Sequence, residues 1–229
     1  RSLKANTANI ILGPIIGGLS HERVNLWARA NKASTLYAWF ATNQKASDAK
    51  PVGRKQLEAV NGFAGMVTVK GLSPAKKYFF ALTLDPKLVP PKSVYQPFST
   101  FPAPGKAKSF RFAFGSCFLP YKDNPGLAFK HIHENQQDLA FMLFLGDQIY
   151  ADELKTNGLG RVPVNINEYR KIYQTVWSNS HHRELLAHTP AFMILDDHEV
   201  DNDWHWNDRA LTIPDTSWLT RLLRKLSGR

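Results

Sequence analysis

The chain changes its pattern at Phe101-Pro102-Ala103-Pro104-Gly105-Lys106, a Pro/Gly-rich joint that neither a helix nor a central strand accommodates. Before the joint, only strands are legible. Val24-Asn25-Leu26-Trp27-Ala28 alternates apolar and polar residues, as a half-buried strand does. Residues 35–42 (TLYAWFAT), 66–70 (MVTVK) and 77–82 (KYFFAL) are rich in β-formers and separated by turn residues such as Gly71-Leu72-Ser73-Pro74. Short strands at near-regular spacing predict an all-β sandwich over residues 1–104. His21-Glu22, beside a Gly-Gly-Leu-Ser turn, is expected to be a surface pair.

Beyond the joint, strands alternate with helices. Phe110–Phe114 (FRFAF) predicts a short strand, and Leu139–Leu145 (LAFMLFL) and Ala191–Leu195 (AFMIL) predict strands buried on both faces. Asn124-Pro125 offers a cap and first-turn proline for a helix ending near Asn135 or Gln136. Tyr169, Ile172, Tyr173, Val176 and Trp177 share one helical face, and Ser180 is placed to cap a further helix through Leu186. His181-His182 is expected at the surface, and His131 and His133, two apart on a helix, on different faces. Strand, helix, strand, helices, strand implies parallel pairing with right-handed crossovers, hence an α/β domain over residues 105–229.

Composition narrows the function classes. The 229 residues are 43% hydrophobic and 12% aromatic, enough for a packed core, and no apolar run approaches a membrane span. No signal-peptide pattern is visible in Arg1–Ile16. Cys117 is the single cysteine, which excludes an intramolecular disulfide. The net charge of +10 favours anionic partners such as phosphorylated substrates, nucleic acid or a membrane surface. No aromatic-interleaved basic motif or zinc pattern supports nucleic-acid reading.

Ligands of open α/β sheets bind at the carboxyl ends of the strands. The first strand of the second region ends in Gly115-Ser116-Cys117, the second in Gly146-Asp147-Gln148-Ile149-Tyr150-Ala151-Asp152, and the third in Asp196-Asp197-His198-Glu199. All three deliver titratable or metal-ligating side chains to one sheet edge. Carboxylates crowded into a cleft drive one another toward protonation, and a bound cation reverses this. A thiol and a phenol near Asp147 point to a transition ion such as iron, while oxygen-only positions suit a harder ion such as Ca²⁺. Two ions roughly 3.5–4 Å apart are a standard device for phosphoester hydrolysis. Taken singly, Cys117 reads more naturally as a small buried apolar residue, Tyr150 as packed or ligating, and His198 as a ligand or catalytic group. Asp201, Asp203, His205 and Asp208 read as a solvated loop.

The segments "FRFAFGSC" (110–117), "LFLGDQIYAD" (143–152) and "MILDDHEVDN" (193–202) resemble, in order, those of the alkaline phosphatase D (PhoD-like) family of the metallophosphoesterase superfamily. The stretch "VKGLSPAKKYFFAL" (69–82) resembles the turn-then-tyrosine signature of fibronectin type III domains. The resemblance implies a fibronectin-like sandwich followed by an α/β metallophosphatase domain. It implies a phosphatase or phosphodiesterase with Fe³⁺ and Ca²⁺ or another divalent cation, acting on phosphorylated small molecules or phosphodiesters and exported to the periplasm or beyond.

By position, Cys117 and Tyr150 correspond to the iron ligands and Asp147 to the aspartate bridging the metals. Asp197 stands where the superfamily has a metal-binding asparagine, and Asn202 matches the family's amide ligand. His198 corresponds to the histidine that contacts phosphate and protonates the leaving group. Gln148 stands where some members carry a phosphate-binding arginine, and Asp203 where a second asparagine is common. The family also draws His and Asp ligands from later strands, whereas the 26 residues after Asp203, ending "TRLLRKLSGR", do not read as a further strand carrying a His. The expectation is therefore an incomplete domain. The alternative is a non-catalytic fragment or degenerate member acting as a binding module.

Overall fold

Two sheets share one core in the first of two compact units, in a computed structural model that describes residues 7–85, 87–106, 108–120, 125–136 and 138–204. Asn124, His205, Asp208 and the basic stretch 221–229 lie outside the described residues. Six strands, β1 (Ile10–Gly17), β2 (Arg23–Ala30), β5 (Ala64–Lys70), β8 (Arg111–Gly115), β9 (Leu139–Leu145) and β10 (Ala191–Ile194), form a sheet in the order β5-β2-β1-β10-β9-β8. Four more, β3 (Ser34–Ala41), β4 (Lys50–Leu57), β6 (Lys77–Thr83) and β7 (Gln96–Ser99), form a second in the order β4-β3-β6-β7. The helices are α1 (Leu127–Asn135), α2 (Ile166–Trp177) and α3 (Ser180–His188).

The expected strands at 24–28, 35–42, 66–70 and 77–82 are all present, and β1, β4 and β7 add to them. β2 shows why alternation works as a signal. Val24, Leu26, Ala28 and Ala30 are each fully buried, while the residues between them line the opposite face. β2 pairs antiparallel with β5 without a slip, from Arg23↔Lys70 to Arg29↔Ala64. Both sheets feed the core: Ile16, Leu26 and Val67 from one, Leu36, Phe40 and Phe80 from the other. Phe40, Tyr78, Phe80 and Phe98 cluster with ring centroids 5.5–6.0 Å apart. Each such side chain contributes roughly 1.5–3 kcal/mol of burial. The Tyr78 hydroxyl accepts the Ser73 amide at 2.9 Å, which closes the turn before β6.

The units interleave along the sequence. The first comprises residues 1–114, 126–143 and 177–192, and the second comprises 115–125, 144–176 and 193–229. β1 pairs parallel with β10 through Gly17↔Ala191, so one sheet contains strands from both sides of the Pro/Gly joint. β8, an end strand of that sheet, carries Phe112 and Phe114 largely exposed.

Three local expectations are corrected. α1 begins at Leu127, after Gly126 in a left-handed conformation (φ 80°), and not at Pro125. α3 is capped by Asn179, whose side chain accepts the amides of His181 and His182; Ser180 is already helical. His182 is not at the surface: it is 1% exposed and stacks on Phe129 at 4.3 Å. It shares the inward face of α3 with Leu185 and Leu186, three and four residues on.

Candidate metal centre

Three strand ends build the site, and all of its side chains lie in the second unit. Asp147 is at its middle, 5% exposed, just after β9. Its Oδ2 accepts a hydrogen bond from the Cys117 thiol at 3.3 Å, and its Oδ1 accepts the backbone amide of His198 at 3.3 Å. Ligand atoms of Asp147, Asp197 and His198 all lie within 4.8 Å of one another. The structure therefore gathers Asp147, Asp197 and His198 directly, with Cys117 against Asp147.

Local backbone geometry sets these directions. Gly146 has φ 99°, and a Cβ there would fall 2.3 Å from Asp196 Cβ, so only glycine lets the end of β9 approach the turn after β10. Cys117 (φ 62°) and Asp147 (φ 51°) are both left-handed without being glycine. Such conformations cost on the order of 1–3 kcal/mol each, persist where surrounding contacts dictate them, and cluster at functional sites.

Glu199 is the brace of the site. It is buried and accepts three amides: Asp147 at 3.1 Å, Gln148 at 2.5 Å and Asp196 at 2.7 Å. The short 3₁₀ turn Asp197–Glu199 is closed by a capping box between Asp196 and Glu199. Sequence reasoning gave Glu199 no role, although the D-x-x-E spacing of Asp196 and Glu199 was the available signal.

His198 is held by a residue that sequence reasoning left without a role. Both carboxylate oxygens of Asp152 lie 3.0 Å from its Nδ1, so Nδ1 carries the proton and Nε2 is left for a substrate or ligand. Burial pulls the His198 imidazole down, but the Asp152 hydrogen bond and charge, with Asp147 and Asp197, outweigh it, and the net shift is upward. Tyr150 packs its ring on His198 at 4.4 Å. Its phenol is pushed above its ordinary range by burial first, then by the charges of Asp147 and Cys117. On α2, burial followed by Asp201 and Asp152 raises the phenol of Tyr169, which the sequence showed only as part of a helical face.

Asn202 stands apart. It is exposed, its side-chain amide donates to Asp203 Oδ2 at 2.7 Å, and its backbone amide donates to Asp152 Oδ2 at 2.9 Å. Gln148 is buried, with Nε2 donating to the Ile194 carbonyl.

The donor set fits a cation. The buried Asp147 and half-buried Asp197 carboxylates converge beside the Cys117 thiol, which is exposed and not the small buried residue it reads as when taken singly. With a Tyr150 phenol that burial holds above its ordinary range, they form a group that positive charge would stabilise. Residues 112–224 match the family model for PhoD-like phosphatases. Over this stretch, just under half of its length, the chain is similar to PhoD-like phosphatases. It is 28% identical over 149 residues to alkaline phosphatase D of Bacillus subtilis (strain 168), a match covering 60% of this chain and 24% of that protein. It overlays a solved structure of PhoD with a TM-score of 0.74 at 23% identity, covering 89% of this chain and 42% of that one. The overlay speaks for a shared fold, and the chain spans less than half the length of either relative. No helix among the described residues is long and apolar enough to cross a membrane.

Proposed function

We propose that this chain carries part of the metal centre of a phosphoester hydrolase, a phosphatase or phosphodiesterase with two metal ions. The observation that carries the reading is the meeting of three strand ends at Asp147, where Cys117, Asp197 and His198 converge from segments up to 81 residues apart in sequence. Cys117, Asp147 and Tyr150 form a donor set for Fe³⁺, and Asp147, Asp197 and Asn202 one for Ca²⁺ or another divalent cation. In that role the Asn202 amide leaves Asp203. When bound, such ions polarise the phosphoryl group and supply a nucleophile from water.

The protein's own contribution centres on His198. With Nδ1–H anchored on Asp152, the upward shift of His198 favours the doubly protonated ring, and its Nε2 proton is delivered to the departing oxygen. The net charge of +10 gathers anionic substrates. We further propose an exported location and a fibronectin-like origin for residues 1–104, with the metallophosphatase domain in residues 105–229.

The test is metal content by mass spectrometry with a visible spectrum, followed by hydrolysis of p-nitrophenyl phosphate and bis-p-nitrophenyl phosphate. Iron with a charge-transfer band that weakens in Cys117→Ser and Tyr150→Phe, and activity lost in Asp147→Asn, is the expected result. A folded chain that takes up no iron on reconstitution sinks the reading in favour of a binding module.

A further inference from the structure

A second group of ligand-bearing side chains lies in the first unit, outside the Asp147 centre. His133, near the end of α1, and Glu184 and His188, one turn apart on α3, each offer a ligand atom within 4.8 Å of the other two. Both imidazoles lie against the same carboxylate oxygen, Glu184 Oε1: His133 Nε2 at 3.8 Å and His188 Nδ1 at 3.6 Å. The rings are half-buried, 27% exposed each, with centroids 4.7 Å apart. His188 Nδ1 also lies 2.9 Å from the Glu184 backbone carbonyl, which only accepts, so Nδ1 donates there. That bond fixes the tautomer and leaves the Nε2 lone pair for a ligand, as a backbone carbonyl does for metal-binding histidines.

The ordinary reading is a pair of weak surface ion contacts, since Glu184 and His188 are four apart on one helix. Two observations favour more. The third member comes from a different helix, so the group forms a seam and not a single-helix pair. The 3.8 Å between His133 Nε2 and Glu184 Oε1 is too long for a hydrogen bond, yet it approaches the roughly 3.3–3.5 Å that separates neighbouring ligands of tetrahedral zinc. Small side-chain rotations close the difference.

We propose that His133, Glu184 and His188 form a zinc site joining α1 to α3. Two imidazoles and one carboxylate suit Zn²⁺, whereas Ca²⁺ and Mg²⁺ seek all-oxygen shells. The site clips residues 55 apart in sequence and leaves a fourth position for water. It is separate from the proposed phosphoesterase chemistry and does not depend on it.

The experiment titrates Zn²⁺ alone into the Asp147→Asn/Asp197→Asn variant, in which the other centre is disabled. One bound equivalent is expected, with affinity weakened more than about tenfold by adding His133→Gln or His188→Gln. Should the double variant fold poorly, ring ¹⁵N shifts of the unaltered chain provide the same test: zinc moves His133 and His188. Zinc uptake indifferent to both histidine substitutions, or ring signals of His133 and His188 that zinc leaves in place, overturns the site.

Discussion

The two units hold their side chains in place by different means. In the first, β2 buries every second residue completely, and Leu36 and Phe80 opposite it are equally inaccessible. In the second, the decisive contacts are polar. One buried carboxylate, Glu199, holds three amides, and two non-glycine residues sit in left-handed conformations beside it. Burial of apolar area is non-directional and tolerates small shifts, whereas hydrogen bonds and backbone torsions set directions. A scaffold needs only the first, and a metal centre needs the second.

That contrast breaks most sharply at Phe80. Phe80→Ala should cost roughly 3–5 kcal/mol in urea denaturation, while the metal affinity of the surviving folded fraction stays unchanged. Glu199→Gln keeps the shape but removes the charge that three amides share, and is expected to cost about 1.5–3 kcal/mol. Unlike the change at Phe80, it should also lower metal content, measured on the same sample. Asn179→Ala removes the α3 cap and should lower the denaturation midpoint by the equivalent of about 0.5–2 kcal/mol, with Ser180→Ala nearly neutral beside it. The smallest effect concerns the second unit's Arg161–Glu168 ion pair. The Arg161 hydrogen bond and then the Val164 amide hold the Glu168 carboxyl at about 2 against an ordinary 4.5. Its depressed value means that its stabilisation is present above pH 4.5 and is lost as pH falls toward 2. A carboxyl-carbon NMR titration checks this, and Arg161→Ala should move the midpoint back up.

The same contrast governs how far the sequence could be read. β2, β3, β5 and β6 announce themselves by alternation or β-branched and aromatic content, because one face of each meets the core. β1 is interrupted by Gly13-Pro14, β4 is lysine- and arginine-rich, and β7 has only four residues including a proline; none carries a period-two signal. The ladder of β1 onto β10 spans 174 residues and no local pattern encodes it. In the site, Asp147 and Asp197-His198 were legible because each follows an apolar run that forms a strand, although β9 and β10 are only partly buried and Leu145, Ile194 and Leu195 are exposed, not buried on both faces as expected. Asp152 was not, because its partner His198 lies 46 residues away. The α3 cap falls one residue before the expected Ser180 because Asn179 is an equally good cap residue and only the helix's actual first turn decides.

Glu199 also sets a clock. The amides of Asp147, Gln148 and Asp196 all end on its carboxylate, so none can be released to solvent for long while that side chain stays seated. In deuterated water the three protons should exchange at one common slow rate, although they belong to two segments almost fifty residues apart. The residues around the centre then open as a single event, and the frequency of that event limits how fast any ion held there can be traded for another.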